Sequence, residues 1–129
     1  MYELYTIVGR VGRDAESRFT PAGQQVTSFS VAVSEEYTKD GQKIKKTKWI
    51  RVSSWGKSAE IHNQYVKKGM LVLVAGKLNG DDQGNPRTYE VNGTTKASFE
   101  MTAQNVQFLS RVEGSTNESV SPQDEDPPF

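Results

Sequence analysis

The 129-residue sequence contains no cysteine and a single histidine, His62. Without cysteine, the chain has no disulfide framework, no thiolate nucleophile and no thiolate metal site. One imidazole alone makes a zinc cage or a Ser-His-Asp triad hard to build. The scarcity of these groups favours a binding module over an enzyme, and it predicts neither a metal nor an organic cofactor.

Long apolar runs are also lacking. Apolar and aromatic residues make up 34% of the chain, and its mean hydropathy is −0.68. No run approaches the roughly 20 residues of a membrane-spanning helix, and the first residues lack the charged-then-apolar pattern of a secretory signal. We therefore expect a cytoplasmic protein without membrane contact, part of which lies outside a packed core.

A net charge is absent too, because 16 Lys and Arg balance 16 Asp and Glu. The balance hides two opposite segments. Residues 113–129 hold five of the acidic residues and no basic one, which leaves 16 basic against 11 acidic residues in 1–112. A positive body with a negative end is typical of nucleic-acid contact combined with an interaction tail. An unevenly charged solvated surface is the simpler alternative.

Residues 113–129 are predicted to be a disordered acidic tail. Their only large apolar side chains are Val120 and Phe129, too few to offset the entropy of ordering the segment. Residues 1–112 instead show short runs of period-2 alternation between turn residues, the pattern of a small all-β domain.

The alternating runs predict five strands, with a bulge before Val106 in the last. Their ranges are 4–11, 27–35, 48–55, 71–78 and 97–109. Asp40-Gly41 predicts a hairpin between the second and third strands. The polar stretch 79–96 predicts an extended loop or a flared hairpin.

One helix is predicted between the third and fourth strands. Ser58 is a suitable N-cap, Lys67 and Lys68 fall in the last turn, and Gly69 supplies the stop.

The apolar stripe of this helix is predicted to contain Ile61 and Tyr65, with His62 on its solvent side. Five strands with a helix in this position predict an all-β fold, namely the five-stranded oligonucleotide/oligosaccharide-binding (OB-fold) Greek-key barrel.

The third strand carries the most informative side chains. Trp49, Arg51 and Trp55 fall on one face, while Ile50 and Val52 fall on the other and form the natural core side. Exposed indoles can stack on unpaired bases, which contributes about 1–3 kcal/mol per base without regard to sequence. Packing against a partner subunit or under a loop is the alternative, and two indoles flanking an arginine make it less favoured.

Further candidates surround this strand. Tyr37 is either a third stacking platform or packs on its own strand. The lysines of 39–48, including Lys43, form a basic flap suited to phosphates, which would make binding salt-dependent. Additional basic candidates are Arg10, Arg13, Arg18, Lys57, Lys68 and Lys77.

The last six residues form a distinct acidic tip. They are Asp124, Glu125, Asp126, Pro127, Pro128 and Phe129. The terminal ring offers an apolar plug and its carboxylate an anchor for a basic partner pocket. An ordinary solubilising tail is the alternative.

Several motifs together resemble the bacterial single-stranded DNA-binding protein family. They are residues 18–23 (RFTPAG), 29–35 (FSVAVSE), 49–52 (WIRV), 55–60 (WGKSAE), 65–69 (YVKKG) and the acidic tip. The resemblance covers essentially the whole chain. It implies a homotetramer of OB-fold barrels that binds single-stranded DNA non-specifically and recruits replication, recombination and repair proteins through the tip.

Carried over by position, the resemblance implies base stacking at Tyr37, Trp49 and Trp55. Backbone contacts are implied at Arg18, Arg51, Lys57 and Lys68. The sequence departs from the family in two places. Many members have a tryptophan and basic residues after the fourth strand, where this chain has 79–82 (NGDD), so one stacking site is absent or replaced by Tyr89. The tip has Pro127 where Ile is common, which puts affinity for individual partners in doubt.

Two other functions remain open at this stage. One is an RNA-binding OB module, since no residue pattern identifies a contact to a 2′-hydroxyl. The other is an interaction adaptor that acts mainly through the tip.

Overall fold

Alternating apolar residues produce strands over most of residues 1–109, the part of the chain that the computed structural model describes. The elements of this part are β1 Tyr5–Val11, β2 Glu16–Phe19, β3 Gln25–Lys39, β4 Gln42–Trp55, α1 Lys57–Tyr65, β5 Leu71–Leu78, β6 Thr88–Val91, β7 Thr94–Ala97 and β8 Phe99–Phe108. The predicted tail, 113–129, and its tip lie outside the described residues.

Five of the strands close into a barrel in the order β1-β5-β8-β4-β3. Closure occurs where Arg10 and Val11 of β1 pair with Ala32 and Val31 of β3. Strands β4 and β8 are parallel, whereas the other barrel pairs are antiparallel. Strand β2 extends the sheet beyond β3. The predicted barrel, with its helix between the third and fourth barrel strands, is therefore confirmed.

The core fills the barrel with inward side chains from every barrel strand. The fully buried ones are Val31, Ile50, Val52, Val72, Val74 and Met101, together with Val66 from the segment after α1. Burial of each such side chain contributes about 1.5–3 kcal/mol. The period-2 pattern places these residues inside and leaves their neighbours outside.

The second and third predicted strands are longer than expected. Strands β3 and β4 continue as a two-stranded ribbon to the turn at Asp40 and Gly41, whose φ angles are 53° and 77°. Two consecutive left-handed residues match the twist of a hairpin. The sequence does not predict strands in this polar ribbon, because both of its faces are exposed and apolar and polar residues therefore do not alternate.

The polar stretch 79–96 contains the predicted flared hairpin. Strands β6 and β7 pair around Asn92 and Gly93, with φ angles of 50° and 78°. The predicted bulge in the last strand is also confirmed. Ala103 pairs with Gly76 and Asn105 pairs with Ala75, so Gln104 is the extra residue.

The predicted ends of the helix are wrong. Gly56, with φ of 66°, occupies the N-cap position in place of Ser58, and no side chain caps this end. The helix ends at Tyr65, so Lys67 and Lys68 lie beyond it. No helix within residues 1–109 has the length and apolar character needed to cross a membrane.

The predicted faces of the helix are also wrong. Ile61 and Tyr65 are 51% and 54% exposed, whereas Ala59 and His62 are buried. The reason is that α1 packs closely on β3 and β4, where the Thr27 hydroxyl donates a 2.5 Å hydrogen bond to the Ala59 carbonyl. Its inward side therefore needs small or hydrogen-bonding residues.

Candidate nucleic-acid interface

The pleat of β4 sorts its side chains as predicted. Ile50 and Val52 are completely buried, while Trp49 and Trp55 are 54% and 42% exposed, and Arg51 is also exposed. Two indoles and a guanidinium thus share the outer face of one barrel strand. Burial in the core does not explain any of the three.

Small neighbours leave this face open. On β3, Ala32 lies opposite Trp49 and Ser30 lies opposite Arg51. Side chains directly opposite one another lie on the same face of the sheet. An alanine and a serine are too short to cover the larger groups, so the face is accessible from solvent.

A shallow depression lies over the part of the sheet between the two indoles. Its lining residues are Arg13, Asp14, Glu16, Ser28, Phe29, Ser30 and Arg51. One of its carboxylates is already engaged, because Asp14 accepts a 2.9 Å hydrogen bond from the backbone N–H of Lys68. The depression offers hydroxyl groups, two guanidinium groups and the Glu16 carboxylate to a polar ligand.

Strand β8 places a carboxylate beside this face. Glu100 pairs in register with Arg51 and accepts a 2.7 Å hydrogen bond from the Ser98 hydroxyl. Nε of Arg87 lies 3.7 Å from its other oxygen. No sequence pattern predicted a role for Glu100, because its position next to Arg51 arises from pairing between distant parallel strands.

The predicted basic residues fall into two groups. Arg10 on β1 and Arg18 on β2 are near the tryptophan face, since they pair with Ala32 and Val26, the β3 partners of Trp49 and Trp55. A guanidinium nitrogen of Arg10 donates a 3.1 Å hydrogen bond to the Gly69 carbonyl.

The lysines are more dispersed. Lys57 begins α1, two residues after Trp55, and Lys77 on β5 pairs with Thr102. Lys68 follows α1 and binds Asp14 through its backbone. Lys43 lies on the distal ribbon, where Glu35 and Glu36 pair with Lys46 and Lys45. These acidic residues reduce the positive charge that the lysine run alone suggests.

The two candidate tyrosines do not join the tryptophans. Tyr37 pairs with Ile44 in the ribbon, and strand alternation puts it on the opposite face from Trp49. Tyr89 pairs with Lys96 in the separate β6–β7 hairpin and is 49% exposed. Both rings are accessible, but on outlying hairpins.

The solvent-side prediction for His62 is contradicted. Nδ1 of His62 lies 2.8 Å from the hydroxyl oxygen of Ser54, and both side chains are buried. Desolvation by burial lowers the pKa of His62 below its ordinary value of 6.5. The neutral imidazole therefore supports β4 from the side opposite the tryptophan face.

The tryptophan face of β4 agrees with the protein family that the chain matches. A model described as the single-strand binding protein family matches residues 3–109. This chain belongs to the single-strand binding protein family. A relative named single-stranded DNA-binding protein, from Neisseria meningitidis serogroup A, is 35% identical over 105 residues. The match covers 80% of this chain but only 57% of that relative.

Other members of the single-strand binding protein family support the assignment. Single-stranded DNA-binding protein 3 of Clostridium acetobutylicum is 35% identical over 119 residues, which is 91% of this chain and 77% of that one. The chain spans less than two thirds of the Neisseria relatives.

Solved structures share the fold. The chain matches the Plasmodium falciparum SSB, solved in complex with ssDNA, with a TM-score of 0.70 and 23% identity, over 85% of this chain and 96% of that one. A small single-stranded DNA-binding protein from Streptomyces coelicolor matches with a TM-score of 0.67 and 20% identity, over 82% and 93%. Together with the strand order of the barrel, these matches identify the fold of this chain as an OB-fold.

Proposed function

We propose that this chain binds single-stranded DNA without sequence preference during replication, recombination and repair, and that it catalyses no reaction. We place it in the cytoplasm with the nucleoid. The observation that carries the proposal is the open face of β4, on which two accessible indoles flank Arg51.

Stacking on the two indoles supplies affinity without sequence readout, because every base has a π-face. Trp49 and Trp55 are six residues apart on one strand, a distance of about 20 Å at the usual rise per residue. They therefore stack on different bases of one DNA strand. Arg51 between them binds a phosphate or lies against a base.

Phosphate contacts extend the site around this face. We assign them to Arg10, Arg18, Lys43, Arg51, Lys57 and Lys68, and we assign outlying stacking to Tyr37 and Tyr89. Each neutralised phosphate releases counterions, so the affinity falls with salt. Stacking and phosphate contacts carry no readout of base edges, so we expect little preference among DNA sequences.

We further propose a homotetramer assembled through the outer face of β1 and β5. In residues 1–109, the 5–9 segment of β1 pairs with β5 alone, which leaves its other edge open to another copy. Val8 pairs with Leu73 and Thr6 pairs with Ala75, so this outer face has apolar and small side chains. Light scattering of the wild type and of Leu73→Arg measures the oligomeric state. The wild type is expected to be a tetramer, and the variant is expected not to form one.

The division into a binding domain, 1–112, and a tail, 113–129, is likewise a proposal. The acidic tip, 124–129, would recruit genome-maintenance proteins through its aromatic terminus and carboxylates.

A fluorescence titration tests the main proposal. Both indoles contact bases in the complex, so oligo-dT is expected to quench the intrinsic fluorescence. Trp49→Ala and Trp55→Ala should each weaken binding by about 5- to 160-fold, the equivalent of one stacked base. Tyr2→Ala is the control, because Tyr2 is an exposed aromatic that precedes β1.

Two binding results would contradict the proposal, and a third result, in cells, would replace it. One is unchanged fluorescence at saturating oligo-dT, and the other is a preference for poly-U over poly-dT in competition, which would indicate an RNA-binding module. If the Trp49→Ala, Trp55→Ala double variant keeps every cellular role, the adaptor function through the tip replaces the DNA-binding one.

A further inference from the structure

The indole of Trp49 lies against the backbone at Gly12, which directly follows β1. A β-carbon placed on Gly12 would come within 2.5 Å of Cζ3 and 2.8 Å of Cη2 of that indole. Real β-carbons essentially never approach another heavy atom so closely. The six-membered ring of Trp49 thus occupies the space that any other residue at position 12 would need.

The backbone at Gly12 has little freedom to move away. Its N–H donates a 2.9 Å hydrogen bond to the Ser30 carbonyl on β3. The preceding residue, Val11, donates to the Met70 carbonyl at 2.9 Å and accepts from Gly69 at 2.8 Å. A side chain at position 12 would therefore displace the indole rather than the main chain.

Backbone conformation does not require glycine here. The φ angle of Gly12 is not positive, so alanine could adopt the same backbone angles without strain. Gly9, three residues earlier, differs in kind, because a β-carbon there would collide with the Ala32 carbonyl of the barrel itself. Gly9 is a requirement of the fold, whereas the constraint at Gly12 comes from one exposed aromatic side chain.

We propose that Gly12 is a positioning residue for base stacking: its missing side chain lets the indole of Trp49 lie against the barrel and present its remaining surface to a base. This inference rests on the proposed binding of single-stranded DNA. It adds a second element, the end of β1, to a site that otherwise belongs to β4.

The first test needs no DNA. Trp55→Phe leaves Trp49 as the only tryptophan of the full chain. Adding Gly12→Ala should shift the emission of Trp49 to longer wavelength and increase its quenching by acrylamide, because the ring loses its contact with the backbone. An unchanged spectrum with unchanged quenching would overturn the proposal, whether or not the protein binds DNA.

The second test is a double-mutant cycle on the affinity for a dT oligomer. In the chain with both tryptophans, Gly12→Ala should weaken binding by about 5- to 160-fold, the range that corresponds to the loss of one stacked base. In the Trp49→Ala background the same substitution should have no effect, because the obstructing ring is gone.

Each outcome of the cycle is decisive. Equal losses in both backgrounds would overturn the positioning role, as would a fold that Gly12→Ala abolishes with or without Trp49. A fold that is lost with Trp49 but restored by Trp49→Ala would support it. If the wild type fails to bind oligo-dT, the proposed function fails, and the fluorescence test still decides the role of Gly12.

Discussion

Nδ1 of His62 lies 2.8 Å from the hydroxyl oxygen of Ser54, the residue of β4 that immediately precedes Trp55. The rings of Phe29 and Phe108 meet the imidazole edge-on, at centroid distances of 6.2 and 6.4 Å. This buried contact joins α1 to the inner side of the strand whose outer side presents both indoles. The helix therefore stabilises the candidate DNA-binding strand by packing on its inner side.

The buried imidazole predicts that the protein loses stability in mild acid. Burial lowers the pKa of His62 in the folded state, so below about pH 6.5 the unfolded chain binds a proton that the folded chain does not. The stabilisation is fully present above that pH and is lost as the pH falls through the lowered value. Thermal unfolding of the wild type and of His62→Gln between pH 8 and 5 measures this.

The readout of that experiment is the slope of the unfolding temperature against pH, since His62→Gln also removes a packed ring and lowers stability at every pH. The wild type should lose more stability than the variant on acidification. Parallel pH profiles would show that other groups, such as carboxylates, account for the acid sensitivity.

Gly9→Ala should destabilise the barrel. Its new methyl group would meet the Ala32 carbonyl and a methyl group of Val31, and overpacking of this kind costs about 1–3 kcal/mol. Chemical denaturation measures the change in the free energy of unfolding. Gly12→Ala in the Trp49→Ala background is the matched control and should unfold at nearly the wild-type denaturant concentration; equal destabilisation of the two would refute the distinction between these glycines.

Glu100→Gln should strengthen binding of oligo-dT by about 2- to 5-fold at low salt, because it removes a negative charge beside Arg51. The gain should shrink as salt rises. Glutamine keeps an acceptor for the Ser98 hydroxyl, which limits structural change. Glu90→Gln is the control, since Glu90 pairs with Thr95 on the outlying hairpin. An equal gain in both variants would mean that only net charge matters.

Deleting 113–129 should preserve or increase the affinity for DNA at low salt. The tail carries five acidic residues and no basic ones, so it competes with phosphate for the positive body. Removing Phe129 alone is the matched variant: it keeps the side-chain charges and should leave DNA affinity unchanged while abolishing partner recruitment. Weaker DNA binding by the truncated chain at low salt would refute the competition.

Tyr37→Ala and Tyr89→Ala should matter only for long oligomers. Both rings lie on hairpins away from the tryptophan face, so a strand must first occupy Trp49 and Trp55 to reach them. Both variants should be titrated with a series of dT oligomers from about 8 to 35 nucleotides. They should bind the shortest oligomers as tightly as the wild type does, and they should lose up to the binding free energy of one stacked base with the longest. A loss that is independent of length would contradict this arrangement.

The strand pattern was predictable because a pleated strand alternates its faces with a fixed period. For Trp49, Ile50 and Arg51, that period alone separates the core side from the candidate binding side. Turn chemistry is also local, and it predicted the hairpin at Asp40-Gly41, whose residues favour left-handed angles.

The remaining features depend on contacts between distant segments. The face of α1 was mispredicted because apolarity favoured Ile61 and Tyr65. The inward position instead holds His62, which pairs with the Ser54 hydroxyl and packs against the ring of Phe29. Likewise, Glu100 reaches Arg51 only through the parallel pairing of β4 with β8. No local pattern encodes such pairings.

Strand β8 comes last along the described chain yet lies between β4 and β5 in the barrel. As the chain is synthesised from its N-terminus, β4 and β5 therefore emerge with an edge that nothing yet covers. The two indoles already belong to β4 at that stage, but Glu100 joins Arg51 on their face only when Phe99–Phe108 pairs beside β4. An incomplete nascent chain thus lacks the finished face, and its exposed edges make it prone to pair with other chains until β8 has been synthesised.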